Sequence, residues 1–273
     1  MEAIDLLKQE LKEIKGHQID AVIKLLDEGN TIPFIARYRK EMTDGLDEVQ
    51  IQNIAERHEY LLNLEKRNDD VLKNIEEQGK LSDELRDEIN KASVLQRVED
   101  LYRPYKQKRQ TLAAKAKKQG LEPLALLVYA LPDAFDFDAE AEKFLNDELE
   151  NIEAVKAGVH EILAEIVGDN PSYREWIRTY TLNNANLVSE IKDESLDERQ
   201  VYQMYYDFKS PIKKVQDHQV LAINRAEKED VLKVSIVLDE DYVHRYLERE
   251  LIHNPNSPVS GVLENAYKDA YQR

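Results

Sequence analysis

Basic residues are concentrated in one stretch of this acidic chain. Between Arg97 and Lys118 there are eight lysines and arginines and two acids, and eight minus two gives a local charge of +6 in a chain of net charge −17. Cations at this density predict contact with phosphates, with binding that weakens steeply as salt rises. A protein partner or a plain solvated surface are the alternatives. The predicted nucleic-acid contacts are Arg103, Lys106, Lys108, Arg109, Lys115, Lys117 and Lys118.

A second cationic cluster lies in TIPFIARYRKEMTDGLDEVQI, residues 31–51. As a structural joint, its apolar residues would enter the core and its cations would pair with acids of the next helix. As a secondary contact, its cations would bind phosphates and its tyrosine would stack on a base. The joint is the preferred interpretation. The residues concerned are Pro33, Phe34 and Ile35 for the core, and Arg37, Tyr38, Arg39 and Lys40 for the polar side.

Residue types that carry catalysis or hold metals are scarce or badly spaced. The chain has no cysteine, which excludes disulfides, thiolate metal sites and a cysteine nucleophile. Its glycines come no closer together than Gly158 and Gly168, so no glycine-rich phosphate loop exists. His160 and Glu161 begin like a zinc-protease helix, but Ala164 occupies the position of the second ligand. The sequence therefore predicts no catalytic residue, no metal site and no cofactor, and the chain is not predicted to be an enzyme.

The elements that must position the cationic clusters are helices. Charged residues make up 34% of the chain and aromatic residues 7%, with 8 glycines and 8 prolines, a balance that favours long amphipathic helices. Apolar spacing predicts one helix, or two abutting helices, over residues 46–77. No apolar stretch approaches the roughly 20 residues that a membrane span needs, and no signal peptide is visible. We expect a mostly α, elongated multi-helix region in the cytoplasm, without membrane partners.

Two smaller elements are predicted within this helical region. Gly79 and Ser82 separate two helices, the outline of a candidate helix-turn-helix at residues 66–101, for which a packing hairpin is preferred over DNA reading. Near residue 218 the period changes. HQVLAINR and EDVLKVSIVLDE alternate and contain β-branched residues, which predicts a small β-hairpin near residues 218–238.

Four motifs carry a resemblance to a known family. TIPFIARYRKEMTDGLDEVQI, VEDLYRPYKQKR, GLEPLA and LAINRAEKEDVLKVSI, in this order, resemble the N-terminal helical region of the Tex family of bacterial transcription accessory proteins. The resemblance implies a cytoplasmic, transcription-linked protein that binds nucleic acid. It also implies further domains beyond this chain: a YqgF-like ribonuclease-H fold, a helix-hairpin-helix module and an OB-fold domain that would make the main RNA contact. One departure is Ala226, where the family commonly has glycine.

The resemblance also bears on domain organisation. Residues 1–190 are predicted to form a Tex-like N-terminal helical domain, which includes the candidate helix-turn-helix. Residues 191–273 would form a helical extension that contains the β-hairpin and leads toward the YqgF-like domain. The chain ends in a helical pattern without a cap, which predicts that it is truncated at Arg273.

Two functions are compatible with these patterns. In the first, the chain is a scaffold region of a protein that binds nucleic acid, RNA being favoured over DNA, and it adds an auxiliary basic patch. In the second, it is a protein-interaction scaffold that docks the transcription machinery or the protein's own C-terminal domains, without touching nucleic acid. Neither function involves a small-molecule substrate.

Overall fold

A computed structural model describes residues 3–106 and 111–273. The chain divides into two compact units between Lys106 and Gln107, which we call the N-terminal unit and the C-terminal unit. Fourteen α-helices and three β-strands are present in the described residues, so the predicted mostly α fold is confirmed. No helix in these ranges is both long enough and apolar enough to cross a membrane.

The N-terminal unit consists of helices in its described residues. Gly29 and Gly79, which follow the second and fourth helices, have φ angles of 84° and 66°. Glycine adopts this left-handed conformation without steric cost and ends both helices, and the end at Gly79 lies where the sequence predicts. The helices are α1 (Ala3–Glu10), α2 (Gly16–Asp27), α3 (Ile32–Tyr38), α4 (Glu48–Glu77), α5 (Asp83–Lys91) and α6 (Leu95–Tyr102), with a 3₁₀ turn at Arg103–Tyr105.

Helix α4 is one continuous helix of 30 residues, about 45 Å long. It begins with a capping box. The Asp47 carboxylate accepts a hydrogen bond from the Gln50 amide at 2.8 Å, and the Gln50 side chain accepts one from the Asp47 amide at 3.0 Å. Helices α1, α2, α3 and α6 contact α4. Its buried stripe comprises Ile51, Ile54, Leu61, Leu64, Val71 and Ile75.

The predicted helix-turn-helix at 66–101 corresponds to the end of α4 followed by α5 and α6. Ser82 caps α5 by accepting a hydrogen bond from the Leu85 amide at 3.2 Å. Ile89 of α5 and Val98 of α6 are fully buried in the same core as α4. These helices therefore pack as a hairpin against α4. A role in DNA reading stays a prediction.

The C-terminal unit combines helices with a small sheet. Its helices are α7 (Leu112–Lys118), α8 (Glu122–Tyr129), α9 (Phe137–Glu142), α10 (Ile152–Gly168), α11 (Pro171–Asn184), α12 (Asp217–Lys228), α13 (Glu240–Leu251) and α14 (Ser260–Gln272). Its strands are β1 (Asn186–Ile191), β2 (Asp207–Pro211) and β3 (Leu232–Val237). The domain boundary predicted at residue 190 falls inside β1, and that division into domains stays a prediction.

Helix α10 lies at the centre of the main core of the C-terminal unit, where it contacts α7, α8, α9 and α14. Gly158 permits the close approach of α7. A Cβ at this position would collide with the side chain of Leu121 and would lie 3.3 Å from the Cβ of Ala116. Because Leu121 is fully buried, it has no space to withdraw. Close packing on α10 therefore fixes which face of α7 points outward.

The three strands form an antiparallel sheet in the order β2–β1–β3. In the centre of the register, Val188 of β1 lies between Lys209 of β2 and Ser235 of β3. Helix α12 packs on the sheet, and together they enclose a small separate core. Asp197 stabilises the connection between β1 and β2. Its carboxylate accepts hydrogen bonds from the Tyr202 amide and the Tyr206 hydroxyl.

The predicted hairpin at 218–238 is wrong in its first half. The segment HQVLAINR belongs to α12, and only the second segment forms a strand, β3, which pairs with β1. Ile223 and Ala226 lie three residues apart and are both buried, as one face of a helix requires. AEKE consists of good helix formers and extends α12 instead of turning the chain. Ala226, the departure from the family, thus lies inside a helix where no left-handed turn is needed.

Candidate nucleic-acid interface

The seven cations predicted to contact phosphate are divided between the two units. Two of them close the N-terminal unit, three lie on α7 of the C-terminal unit, and two lie outside the described residues. In that order they are Arg103 and Lys106; Lys115, Lys117 and Lys118; and Lys108 and Arg109. The described members therefore form two groups, one in each unit.

Helix α7 has a buried alanine face and a cationic outer face. At the edge between them, Lys117 donates to Glu165 of α10 at 2.8 Å. Lys115 and Lys118 are exposed, and no ion pair joins either of them to a carboxylate within the ranges that the structure describes. Lys117 therefore helps to hold α7 on α10, whereas Lys115 and Lys118 present their ammonium groups to solvent.

Tyr102 and Tyr105 anchor the segment that contains Arg103 and Lys106 to the N-terminal unit. Tyr102 lies beneath the guanidinium of Arg67, 5.3 Å from carbon to ring centroid. The carbonyl of Tyr105 accepts a hydrogen bond from the Gln78 side chain at 3.0 Å. Both rings pack against the core. Lys106, which follows, is exposed and has no carboxylate partner among residues 3–106 and 111–273.

Helix α3 and the residue pair after it expose rings and cations together. We call Phe34, Arg37, Tyr38, Arg39 and Lys40 the α3 surface. The two rings lie one helical turn apart with centroids separated by 5.2 Å, and Tyr38 is 62% exposed. The guanidinium carbon of Arg39 lies 5.1 Å from the centroid of Phe34. In the described part of the chain, none of the three cations forms an ion pair with a carboxylate.

This arrangement corrects the predicted structural joint. Ile35 enters the core as predicted, with Ala36 beside it, but Pro33 and Phe34 are exposed. Successive residues of a helix point about 100° apart, so three in a row cannot all face one core. The ion pairs predicted between these cations and acids of α4 are likewise not formed among the described residues. Contact with nucleic acid stays a prediction.

Hydrogen bonds from the side chain of Gln18 in α2 anchor the loop that follows α3. The Gln18 amide donates to the carbonyls of Thr43 and Asp44 at 3.1 and 3.2 Å. The Gly45 amide donates to the Lys40 carbonyl at 2.9 Å, and Asp44 and Gly45 have φ angles of 50° and 84°, so the chain turns at these two residues. The cations of the α3 surface are thus attached to a backbone of fixed shape.

Two acids, Glu41 and Asp44, lie within four residues of Lys40 in the loop that follows it, and Asp44 is ion-paired. Lys15 donates to the Asp44 carboxylate at 3.2 Å, and this hydrogen bond and its charge hold the pKa of Asp44 below its ordinary value, with a smaller effect from His17 at 3.7 Å. Glu41 is the other acid, and it is exposed. Three cations minus Glu41 leave a local charge of +2.

The histidine that resembled a zinc ligand belongs to an ion-pair network. His160 of α10 lies 2.9 Å from Asp269 of α14, and Arg273 donates to both Asp269 and Glu161. Burial acts to raise the pKa of Asp269, but hydrogen bonds from Arg273 and His160 outweigh it and hold that pKa below its ordinary value. Among the described residues, no group of three or more histidines and acids is arranged to hold a metal ion.

Sequence reasoning missed an aromatic stack in the C-terminal unit. Trp176 lies face to face with Tyr246 at a centroid distance of 3.5 Å, and Tyr180 with Tyr242 at 4.7 Å. The rings stand four residues apart on α11 and on α13, and this spacing was the signal that could have revealed them. Because each ring is covered by another, the stack joins the two helices and leaves few ring faces for a ligand. The same spacing places Phe34 and Tyr38 on one face of α3.

Comparison with known proteins gives two matches to family models. Residues 1–76 match the Tex-like protein N-terminal domain, and residues 133–266 match the Tex central region-like family. Together these two segments cover most of the chain.

Curated relatives agree with the family models. YdcI of Bacillus subtilis (strain 168) is 46% identical over 280 residues, which cover 100% of this chain and 39% of the relative. Transcriptional accessory protein Tex of Neisseria gonorrhoeae is 40% identical over 236 residues, which cover 86% of this chain and 31% of the relative. Human S1 RNA-binding domain-containing protein 1 is 26% identical over 277 residues, which cover 92% of this chain and 26% of the relative. The chain thus spans less than half the length of these relatives. Its two matched segments and its similarity to a named Tex protein show that it belongs to the Tex family.

Proposed function

We propose that this chain is the N-terminal scaffold region of a Tex-like transcription accessory protein and that exposed lysines in each of its two units add auxiliary phosphate contacts to RNA binding. One observation carries the proposal: within the stretch of local charge +6 at residues 97–118, Lys106, Lys115 and Lys118 are exposed and have no carboxylate partner in the described residues, although the chain has a net charge of −17. Unpaired cations in an acidic protein favour contact with an external anion. The proposal includes a cytoplasmic location and no catalytic role.

The choice of RNA is supported by the name of one relative. The human protein similar to this chain is named for an S1 RNA-binding domain. Because the chain spans only part of that relative, the principal RNA contact of the whole protein is proposed to lie in its other domains. The lysines of this region would then extend the phosphate contact to a second part of the same strand.

The proposal is tested by fluorescence anisotropy of the 273-residue chain with labelled single-stranded RNA, single-stranded DNA and duplex DNA over a salt series. We expect the affinity for RNA to fall steeply with salt. The variant Lys106→Glu, Lys115→Glu, Lys118→Glu should abolish most of the salt-sensitive part of binding. Each phosphate contact to a single strand contributes about 0.7 to the magnitude of the slope of log K against log salt. Three lost contacts should therefore reduce that magnitude by about 2.

A matched control distinguishes a patch from a general charge effect. Lys209, Lys213 and Lys233 are exposed and have no carboxylate partner in the described ranges, and replacing them with Glu changes the net charge equally. Equal weakening by the two triple variants contradicts a specific role for Lys106, Lys115 and Lys118. Absence of RNA binding by the unmodified chain at low salt contradicts the proposal as a whole.

A second function, a protein-interaction scaffold, is favoured by apolar side chains exposed around the sheet. Met204 is 75% exposed and Leu221 is 71% exposed, and Val201 and Ile236 are also exposed. Large exposed apolar side chains provide area that a docked protein would bury. If the transcription machinery docks here, purified bacterial RNA polymerase core should co-elute with the chain, and replacement of both Met204 and Leu221 by Ser should abolish co-elution. Co-elution that is equal for this variant contradicts docking at these residues.

A further inference from the structure

We propose that the α3 surface is a second binding site for single-stranded nucleic acid, in which bases stack on the exposed rings and phosphates contact the adjacent cations. This inference rests on the proposed function, because it presumes that the chain binds nucleic acid. It adds a site in the N-terminal unit that is separate in sequence from the lysines at 106–118. Three observations support it: the exposed rings, the cations without a carboxylate partner in the described residues, and the loop after α3 that Gln18 anchors.

The rings of the α3 surface are placed as a stacking platform. Phe34 and Tyr38 stand four residues apart on the outward face of α3, while Ile35 and Ala36 hold the opposite face in the core. Arg39 covers part of Phe34, so Tyr38 offers the more open ring. A base stacked on an aromatic side chain contributes about 1–3 kcal/mol of binding free energy, whatever its identity. A single strand can offer such a base, whereas the bases of a duplex are already stacked.

The cations of the α3 surface differ from other arginines of the N-terminal unit. Arg57, Arg67, Arg86 and Arg97 each donate to a glutamate. Arg37 and Arg39 are without a carboxylate partner within the described residues, and so is Lys40. Their charges are complementary to the phosphates that connect stacked bases. An acidic protein segment would meet the cations equally well but lacks the regular alternation of planar base and phosphate that matches rings set beside cations.

The anchored loop lowers the conformational entropy that is lost when nucleic acid binds. Gln18 holds the carbonyls of Thr43 and Asp44, and Lys15 holds the Asp44 carboxylate. Arg39 and Lys40 lie at the start of this loop, so their backbone is ordered before a ligand arrives. Pre-ordered contact residues lose less conformational entropy when a complex forms. Lys15 also offsets the negative charge of Asp44 on this loop.

The test uses the 273-residue chain and three fluorescein-labelled probes: a 12-nucleotide oligo(U), a 12-nucleotide oligo(dT) and a 12-base-pair duplex. Tyr38→Ala should weaken oligo(U) binding at least fivefold, the equivalent of about 1 kcal/mol of lost stacking. Tyr38→Phe, which keeps the ring, should bind as the unmodified chain does. Loss of affinity that is equal for the duplex, or absent in Tyr38→Ala, overturns the stacking site. Comparing oligo(U) with oligo(dT) tells whether RNA or DNA is preferred.

The cations are tested against a matched set. Replacing Arg37, Arg39 and Lys40 by Ala should lower the slope of log K against log salt by about 2. The control replaces three exposed lysines that have no carboxylate partner in the described residues and lie in the same unit, so that the net charge changes equally. They are Lys66, Lys73 and Lys80. Equal weakening by both triple variants overturns the site.

A crosslinking readout locates the base directly. Oligo(U) that carries 5-iodouridine should crosslink on irradiation to Phe34 or Tyr38, and mass spectrometry should recover the modified peptide. Crosslinks found only outside residues 31–41 overturn the inference. If the unmodified chain binds RNA and only the variant at 106, 115 and 118 loses affinity, this inference fails while the proposed function survives. If the unmodified chain binds no nucleic acid, both fail.

Discussion

Three arginines in the described part of the N-terminal unit lie over an aromatic ring, two on α4 and one after α3, and the consequences differ between these regions. On α4, Arg67 lies over Tyr102 and also donates to Glu99 at 2.6 Å. At α3, Arg39 lies over Phe34 but has no carboxylate partner in the described residues. The first guanidinium joins α4 to α6, so its binding capacity is used inside the fold. The second keeps most of its five donors for a ligand.

The difference shows that residue type and ring contact do not by themselves make a binding site. What separates the two regions is whether another helix delivers a carboxylate to the cation. Where it does, the cation stabilises the fold. Where it does not, the same side chains remain available to an external anion. Four predictions test this division, beginning with the largest expected effect.

The two faces of α3 should respond oppositely to truncation. Ile35→Ala removes a fully buried side chain and should lower the free energy of unfolding by about 2–5 kcal/mol. Phe34→Ala, on the outward face, should change it by less than about 0.5 kcal/mol. Urea unfolding followed by far-ultraviolet circular dichroism measures both. Fluorescence of Trp176, the single tryptophan, reports the C-terminal unit separately. Equal losses in the two variants would mean that Phe34 belongs to the core.

The paired and unpaired arginines should differ in stability. Arg67→Ala loses a hydrogen-bonded ion pair and the contact with Tyr102, and we expect a loss of about 1–2 kcal/mol in the free energy of unfolding. Arg39→Ala should cost less than about 0.5 kcal/mol and should instead weaken RNA binding. The same urea titration, with anisotropy beside it, checks both effects. A stability loss in Arg39→Ala equal to that in Arg67→Ala would contradict the comparison.

Acid should weaken the ion pair between Arg57 and Glu10. The hydrogen bond from Arg57 holds the pKa of Glu10 below its ordinary 4.5, against the opposing effect of burial. A lowered pKa in the folded state contributes stability above the ordinary value, and that contribution is lost as pH falls through the folded pKa. Between pH 5 and 3 the unmodified chain should therefore lose roughly 0.5–1 kcal/mol more than Glu10→Gln. Thermal melts at each pH measure the difference, and parallel curves would contradict it.

The smallest effect concerns α7. Lys117→Ala breaks the ion pair with Glu165 and should cost about 0.5 kcal/mol, visible in the urea unfolding curve of Trp176 fluorescence. Lys115→Ala should leave that curve unchanged. In the salt series Lys115→Ala should reduce the slope by about 0.7, whereas Lys117→Ala should not. A reversed pattern would mean that Lys117 is the phosphate contact.

Local patterns predicted the helices better than they predicted the sheet. The end of α4 at Gly79 and the start of α5 after Ser82 are where the sequence placed them, because each depends on neighbouring residues. The hairpin at 218–238 failed because short apolar runs with β-branched residues fit a strand and a buried helix face equally well. β3 pairs with β1, which lies more than forty residues earlier. No local pattern indicates such a partner.

The sequence by itself determined the mostly α fold, the family and the positions of the cationic clusters, because helical periodicity, caps and motifs are properties of adjacent residues. Only the tertiary structure decided which cations are available. Glu99 reaches Arg67 from 32 residues away, and Glu165 reaches Lys117 from 48 residues away. An ion pair depends on distance in space, and folding alone brings such residues within reach. The same packing buried Ile35 and left Tyr38 exposed.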